Sequence, residues 1–453
     1  MQYYSYLYKN SSVMKKHLTF VYTLLVALFG CNSNDSMPME PQASNSMSET
    51  IPIEEAVSNL NAFISDIMPS TRSSEEKTKV ASVCAFGMKD IALRTRSSEE
   101  ANLPDTLMYL VNFEGNAGFA VLSANRRLSS NIYAVTENGQ ISGEDFINAY
   151  SLLNEDSQTD SCAENRLKDM GQITVPALIL SSMMNDISIQ NNGPEENLFD
   201  DKNPDFNEGS LGSSPTYTRE KYGPFLKTKW NQRSPFNDLL NGCPAGCVAV
   251  ATAQIIVANR VSNTMIFNGM QCSWNSLDSV YNYTSPSDPG SVWARKQAAN
   301  FMKVIGDSDH CDIDYGTDGS SGLAKGAKHT FKALGYHNVN KYTSFSSENK
   351  SRANTMLKNG KPVYLGGCTS WSLEGHAWVL DGYLLRRENG TEREYYHINW
   401  GWNGARDGYY FCGTFDTTCG RFKDSNIDAN TNLDKGGCES NYTWTYRMVT
   451  YDL

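Results

Sequence analysis

The sequence predicts an α+β protein in two folded parts, and three observations predict it. A polar stretch with no apolar period, Asn191 to Pro215, divides the chain. Before it, a one-faced helical pattern leads into two apolar runs of strand length around a glycine turn. After it, an alanine-rich helical pattern starts at Cys247, and two strand patterns later face each other across Asn389-Gly390.

The first element is an export signal. Met14-Lys15-Lys16 supplies a charged start, Leu18 to Phe29 is almost wholly apolar, and the run stops at Gly30-Cys31 before polar NSNDS. It is too short for a comfortable membrane span. Leu28-Phe29-Gly30-Cys31 is similar to a bacterial lipobox, which makes Cys31 the expected site of lipid attachment; Phe29 replaces the usual small residue and leaves ordinary cleavage open. A start at Met14 would lose nothing of this signal. Residues 32–50, rich in Ser, Asn, Pro and Met, read as a flexible tether.

From Ile53 to Met68, apolar residues at Val57, Leu60, Phe63, Ile64, Ile67 and Met68 fall on one helical face. The string TRSSEE occurs at Thr71 and again at Thr95, which reads as two exposed loops, with Arg72 and Arg96 as points open to proteolysis. Leu107 to Ala124 reads as a β-hairpin around Gly115-Asn116-Ala117-Gly118, and Asn131 to Ile141 as a further strand with a turn at Asn138-Gly139. A weakly helical, Met-rich stretch runs on to Gln190. In the second half, VAVATAQII after Cys247 begins a buried helix entered through Pro244 and Gly246. If the late hairpin closes on Asn389-Gly390, Glu388 faces Thr391, and the same register carried back sets His376 opposite Asn403, with Gly401 and Trp402 alongside.

Composition limits the chemistry. With 39 basic against 50 acidic residues and a net charge of −11, nothing here would neutralise the phosphates of a nucleic acid. Cys243 and Cys247 lie four apart, but no second short pair of cysteines or histidines completes a zinc site, and a redox pair would have two intervening residues rather than three. No metal or cofactor is expected. Eleven cysteines in an exported chain leave at least one unpaired.

A cysteine at a helix N-terminus meets the positive end of the macrodipole, which favours the thiolate. It becomes a nucleophile if an imidazole reaches it. His17 lies in the signal, and His310, His329 and His337 lie in polar surroundings. His376 instead opens the alternating stretch GHAWVLDGY, 129 residues after Cys247. That is close to the separation of roughly 130–150 residues between nucleophile and base in papain-like enzymes. A hydrogen-bonded core histidine is the alternative for this position. Asn399, Trp400 and Trp402 return toward it and could orient and screen the imidazole. Attack on a carbonyl also needs an oxyanion donor, which Gln232, 15 residues before Cys247, could supply.

Together the blocks WNQRSPFN, GCVAVATAQI, DYGTDGSSG, GHAWVLDGY and HINWGW resemble, in order and spacing, the streptopain family of papain-like bacterial cysteine peptidases. The segment YLVNFEGNAGFAVLSANRRL resembles that family's inhibitory propeptide. The resemblance implies a papain-like α+β fold, with a helix carrying the nucleophile packed against an antiparallel sheet carrying the histidine. It implies Cys247 as nucleophile, His376 as base and then acid, Trp400 beside the histidine, and Gln232 at the oxyanion. Ser321 and Gly375, with Trp402, match positions near the substrate, and an apolar residue second before the scissile bond is the implied preference. The chain departs from the pattern in its extra cysteines: a bridge from Cys243 to Cys272 or Cys368 is one expectation, and pairing with Cys247 would block catalysis.

The expected organisation is a signal at 1–31, a tether at 32–50, an inhibitory propeptide at 51–190, a linker carrying the activation cleavage at 191–215 and a peptidase domain at 216–453. The chain is expected to be an exported zymogen, either a cell-surface or outer-membrane lipoprotein held by its lipid alone or a form secreted after cleavage. It would be a monomer acting on proteins or peptides. Another Cys-His acyl hydrolase or transferase, or an inactive binding or inhibitor protein, are the alternatives.

Overall fold

In the computed structural model, the described residues are 49–68, 78–90, 106–154, 174–184, 186, 216–260, 265–267, 270–280, 289–317, 319–368, 375–388, 390–414 and 446–453. The signal, Cys31, the tether up to residue 48, both TRSSEE loops and the linker at 191–215 lie outside them.

Helix α1, Ile53–Ile67, buries Ala56, Leu60, Phe63 and Ile64; Leu60, Phe63 and Ile64 belong to the predicted face, while its Val57, Ile67 and Met68 are half-buried. Strands β1 (Val80–Phe86), β2 (Met108–Phe113), β3 (Phe119–Ser123) and β4 (Ile132–Thr136) form an antiparallel meander. Gly118 lets the β2–β3 turn close, since a Cβ there would lie 2.1 Å from the Thr136 carbonyl oxygen. Helices α2 (Gly143–Asn154) and α3 (174–184) complete the described part of the first half.

The second half begins with β5, Tyr217–Tyr222, and its central helix is α4, Cys247–Asn259. Ten consecutive residues of α4, Val248 to Val257, are buried, and all are small or β-branched except Gln254, whose amide is hydrogen-bonded to the Trp230 N–H and to Asn399. Beyond it come the short pair β6 (Met265–Phe267) and β7 (Met270–Cys272), then helices α5 (Trp274–Ser279), α6 (Pro289–Gly306) and α7 (Ala324–Ala333). Strand β8 (His337–Tyr342), helix α8 (Ser347–Lys358) and strands β9 (Val363–Cys368), β10 (Gly375–Glu388), β11 (Thr391–Asn399), β12 (Gly408–Phe411) and β13 (Arg447–Asp452) follow. Helix α4 packs against β9 and β10 on one side and against α6 and α7 on the other. This is the predicted arrangement of a cysteine helix on an antiparallel sheet.

One sheet of eleven strands runs in the order β1-β2-β3-β4-β12-β11-β10-β9-β13-β8, with β5 added along β10. Its two halves are therefore joined through hydrogen bonds: Ala134, Val135 and Thr136 of β4 pair with Tyr410, Tyr409 and Gly408 of β12. Side chains reinforce the seam. Phe63 packs edge-on to Tyr395 at 4.9 Å and lies 4.7 Å from the Arg386 guanidinium. Buried Arg386 also meets Asp66 at 2.6 Å. Residues 48–453 form one compact unit.

The late hairpin keeps the predicted register from Glu388↔Thr391 to Gly382↔His397. A bulge at Asp381 then shifts it by one, so that Leu380 pairs Ile398 and Val379 pairs Asn399. His376 consequently does not face Asn403. It pairs with Gly367 on β9 instead, while the Asn403 N–H donates to the Trp230 carbonyl at 3.0 Å.

Candidate active site

Cys247 opens α4 behind Gly246, whose φ of 85° and close approach to Ile313 suit a residue without a side chain. The loop before it is fastened from several sides. The Ala245 N–H donates to the Gln232 carbonyl at 2.9 Å, Asn237 Nδ2 to the Cys243 carbonyl at 3.0 Å, and Ser320 Oγ to the Pro244 carbonyl at 2.6 Å. Burial pushes the Cys247 thiol above its ordinary range, while the N–H groups of Ala377, Val248 and Cys247 itself at the sulfur pull it back. Ala377 immediately follows His376 on β10, so the sulfur sits at the strand that carries the imidazole.

His376 is 5% exposed, and its Nε2 lies 2.8 Å from the Trp400 carbonyl oxygen. A carbonyl can only accept, so Nε2 carries the proton and the neutral ring presents a bare lone pair at Nδ1. Nδ1 is buried with no hydrogen-bond partner among the described residues. Burial lowers the ring's pKa to about 4 against the opposing pull of the Trp400 carbonyl. At neutral pH half-buried Cys247 is therefore a thiol and buried His376 a neutral imidazole, with an unprotonated nitrogen free to take a proton.

Indoles surround the ring. Trp402 stacks on His376 at 4.7 Å, Trp378 and Trp400 stand at 6.1 and 6.3 Å, and Trp400 and Trp402 stack on each other with 7° between planes. They exclude water and hold the imidazole plane. Trp400 is fixed by its N–H to Asp407 Oδ1 at 2.9 Å and by its Nε1–H to Tyr410 Oη at 3.3 Å.

The predicted residues separate into groups. His376, Trp400 and Trp402 stack together, and the Cys247 sulfur meets the same strand at the Ala377 N–H. The Asn399 amide is engaged elsewhere: Oδ1 accepts from Gln254 Nε2 at 3.0 Å and from the Gly401 N–H at 3.1 Å, and Nδ2 donates to the Thr228 carbonyl at 2.9 Å. Its link to His376 is indirect, because the Gly401 N–H belongs to the peptide group whose carbonyl receives His376. Gln232 is half-buried and is tied by its backbone to the loop before Cys247. Ser321 and Gly375 are exposed; Ser321 exchanges two 2.9 Å backbone bonds with Asp314, and Gly375 pairs with Cys368 at the open end of β10.

Cys243 forms no disulfide, so the expected Cys243–Cys272 bridge is not formed, and Cys247 is unbridged as well; the Cys368 side chain lies outside the described residues. Sequence reasoning also missed a buried charge cluster behind the site. His397 Nδ1 lies 2.6 Å from Asp381 Oδ1 and Nε2 lies 3.3 Å from Glu137 Oε1. The local signal was only a histidine alternating with apolar residues, which reads as a core position. Among the described residues no group of three or more His, Cys, Asp or Glu side chains is arranged to hold a metal ion.

Residues 230–410, which contain Cys247, His376 and the indoles around its ring, match the Peptidase C10 family. The chain is a cysteine-type endopeptidase, and proteins are its class of substrate. Two streptopains of Streptococcus pyogenes are 25% and 24% identical to it over 377 residues, 74% of this chain and 84% of theirs. Among solved structures, the prointerpain A fragment of Prevotella intermedia is 17% identical, with a TM-score of 0.47 over 76% of this chain and 95% of that one. The active interpain A cysteine protease of the same organism is 22% identical, with a TM-score of 0.36 over 51% of this chain and 94% of its own.

Proposed function

We propose that the C10 domain cleaves peptide bonds through Cys247 and His376, and that the chain is made as an exported zymogen silenced by its own N-terminal half. The observation that carries the chemistry is the His376 ring, held at Nε2 by Trp400 and unpartnered at Nδ1, on the strand that meets the Cys247 sulfur. Nδ1 accepts the thiol proton as sulfur bonds to the peptide carbonyl carbon. The carbonyl oxygen becomes an oxyanion, which the Cys247 N–H and the Gln232 amide would stabilise. The tetrahedral intermediate collapses, Nδ1–H protonates the departing amine, and a thioester remains. Water, deprotonated by the same nitrogen, hydrolyses it.

Latency is supported by the β4–β12 seam, which ends beside the turn that carries Trp400. The reading extends to the propeptide at 51–190, cleavage within 191–215, lipid attachment at Cys31 with cell-surface or secreted product, an apolar preference second before the scissile bond near Ser321 and Gly375, and a monomeric enzyme.

The test is the chain from Cys31 onward beside its Cys247→Ala counterpart, both under mild reduction, followed by gel, mass spectrometry and casein hydrolysis. The native chain should shorten toward the second half and gain activity, whereas the variant stays whole and inert. Should both stay whole, the linker is cut with a second protease; inactivity of the native domain after that cut rejects the peptidase mechanism in favour of a binding protein.

A further inference from the structure

We propose that Asp407 is a positioning residue of the peptidase, its carboxylate holding the Trp400 N–H so that the Trp400 carbonyl keeps His376 in its reactive orientation. This rests on the Cys247–His376 mechanism. Asp407 touches neither substrate nor the reacting atoms; it acts through one intervening residue.

The turn from Trp400 to Asp407 is an improbable one for a chain to hold by itself. Gly401, Asn403, Gly404 and Arg406 all have positive φ, at 72°, 60°, 78° and 62°. Two of the four are not glycine, so local preference works against this path and other bonds must secure it. The two peptide groups flanking Trp400 are secured separately. Asp407 Oδ1 accepts the N–H of the first at 2.9 Å, and Asn399 Oδ1 accepts the N–H of the second at 3.1 Å. With both planes fixed, the direction of the Trp400 carbonyl is fixed, and with it the 2.8 Å contact that keeps the proton on His376 Nε2. Losing the Asp407 anchor frees the first plane to rotate about Trp400.

Asp407 is 2% exposed, and burying a carboxyl is costly unless its bonds are made. The charged neighbours on the elements around it are His397 of β11, Asp381 of β10, Glu137 after β4 and Arg406 beside it; His397 faces the other two carboxylates through its ring nitrogens. The same residue ties the turn to the first half, since the Glu137 N–H donates to the Asp407 carbonyl at 2.8 Å. The support of the base and the seam between halves thus share one residue.

An asparagine at 407 retains an oxygen acceptor of the same reach and discards the charge; an alanine discards both. In the linker-cleaved enzyme, Asp407→Asn should keep kcat within about threefold, and Asp407→Ala should lose about 10- to 100-fold in kcat with KM within about twofold, the scale of a small misplacement of a catalytic group. In the full Cys247→Ala chain with ¹⁵N-labelled histidine, the His376 Nε2–H resonance should persist with Asn and shift or vanish with Ala. A folded Asp407→Ala enzyme with unchanged kcat and an unchanged His376 resonance overturns the proposal. So does a folded Asp407→Asn enzyme that loses kcat 10-fold while its His376 resonance is native, because charge and not position would then be the cause. If Asp407→Ala does not fold, Asp407→Ser supplies a shorter side chain for the same two measurements. Inactivity of the native cleaved chain would reject the peptidase mechanism, while the resonance measurement would still decide whether Asp407 positions His376.

Discussion

Phe63 offers the sharpest test of how the first half is held on the second. Its ring is fully buried, and its aromatic and cation contacts run to Tyr395, Tyr409 and Arg386, all in the second half. Phe→Ala at such a site costs about 3–5 kcal/mol. Because those partners lie across the seam, most of the loss should fall on docking of α1 rather than on the fold of either half. Taking the lower figure, about 3 kcal/mol raises the undocked fraction roughly 100-fold at about 1.4 kcal/mol per factor of ten. In the Cys247→Ala background, amide exchange over 53–67 should therefore accelerate by up to about 100-fold where it proceeds through undocking. In the native-cysteine chain, casein hydrolysis measured before any shortening should rise at least about tenfold over the unmutated chain. Unchanged exchange would refute the energetic account of the seam. Faster exchange with an intact chain that stays inert would separate α1 docking from latency.

Two further outcomes test the supports of the site. Gly401 has φ 72°, and a Cβ there would lie 3.2 Å from Val250 Cγ1, so Gly401→Ala should cost about 1–2 kcal/mol and lower kcat more than it raises KM; an unchanged kcat would mean that the turn tolerates displacement. His397 tests the charge cluster: burial opposes its charge, but Asp381 and Glu137 together outweigh burial and raise its pKa to about 10. A folded pKa above the unfolded value near 6.5 gives stability that is complete below about pH 6.5 and is lost as pH rises through 10. Asp407, pushed up to about 7 by burial against the Trp400 N–H and His397, acts in the same direction between about pH 4 and 7. The thermal midpoint of the Cys247→Ala chain should fall between pH 6.5 and 10, and His397→Gln should flatten that fall. An equal slope in both chains would place the titrating group elsewhere.

Local sequence carried a good part of this protein. The spacing of Leu60, Phe63 and Ile64 set the buried face of α1, because a helix repeats its face every three to four residues whatever it meets. Asn389-Gly390 set the pairing of β10 with β11 as far as Gly382↔His397, because a two-residue turn fixes the register of what it joins. The glycine-bounded run after Cys247 placed that thiol at a helix start, and GHAWVLDGY placed His376 on a strand. Residue type and spacing were enough to single out the candidate pair and the elements that carry it.

What holds the pair lay beyond that reach, since each support joins residues far apart in the chain. The bulge at Asp381 moved His376 away from Asn403, and it arises where β10 must also accommodate Asp381 against His397. Asn399 is occupied by Gln254 and Thr228, and Trp400 meets His376 with its carbonyl, which no side-chain pattern encodes. Likewise β4 is drawn onto β12 by backbone hydrogen bonds, which any extended edge can offer, so the joining of the two halves into one sheet has no residue signature. Residue type and pattern singled out the candidate cysteine and histidine and the elements on which they ride; tertiary structure alone decided the tautomer of His376 and the partners of both, because those depend on long-range packing of backbone groups that every residue shares.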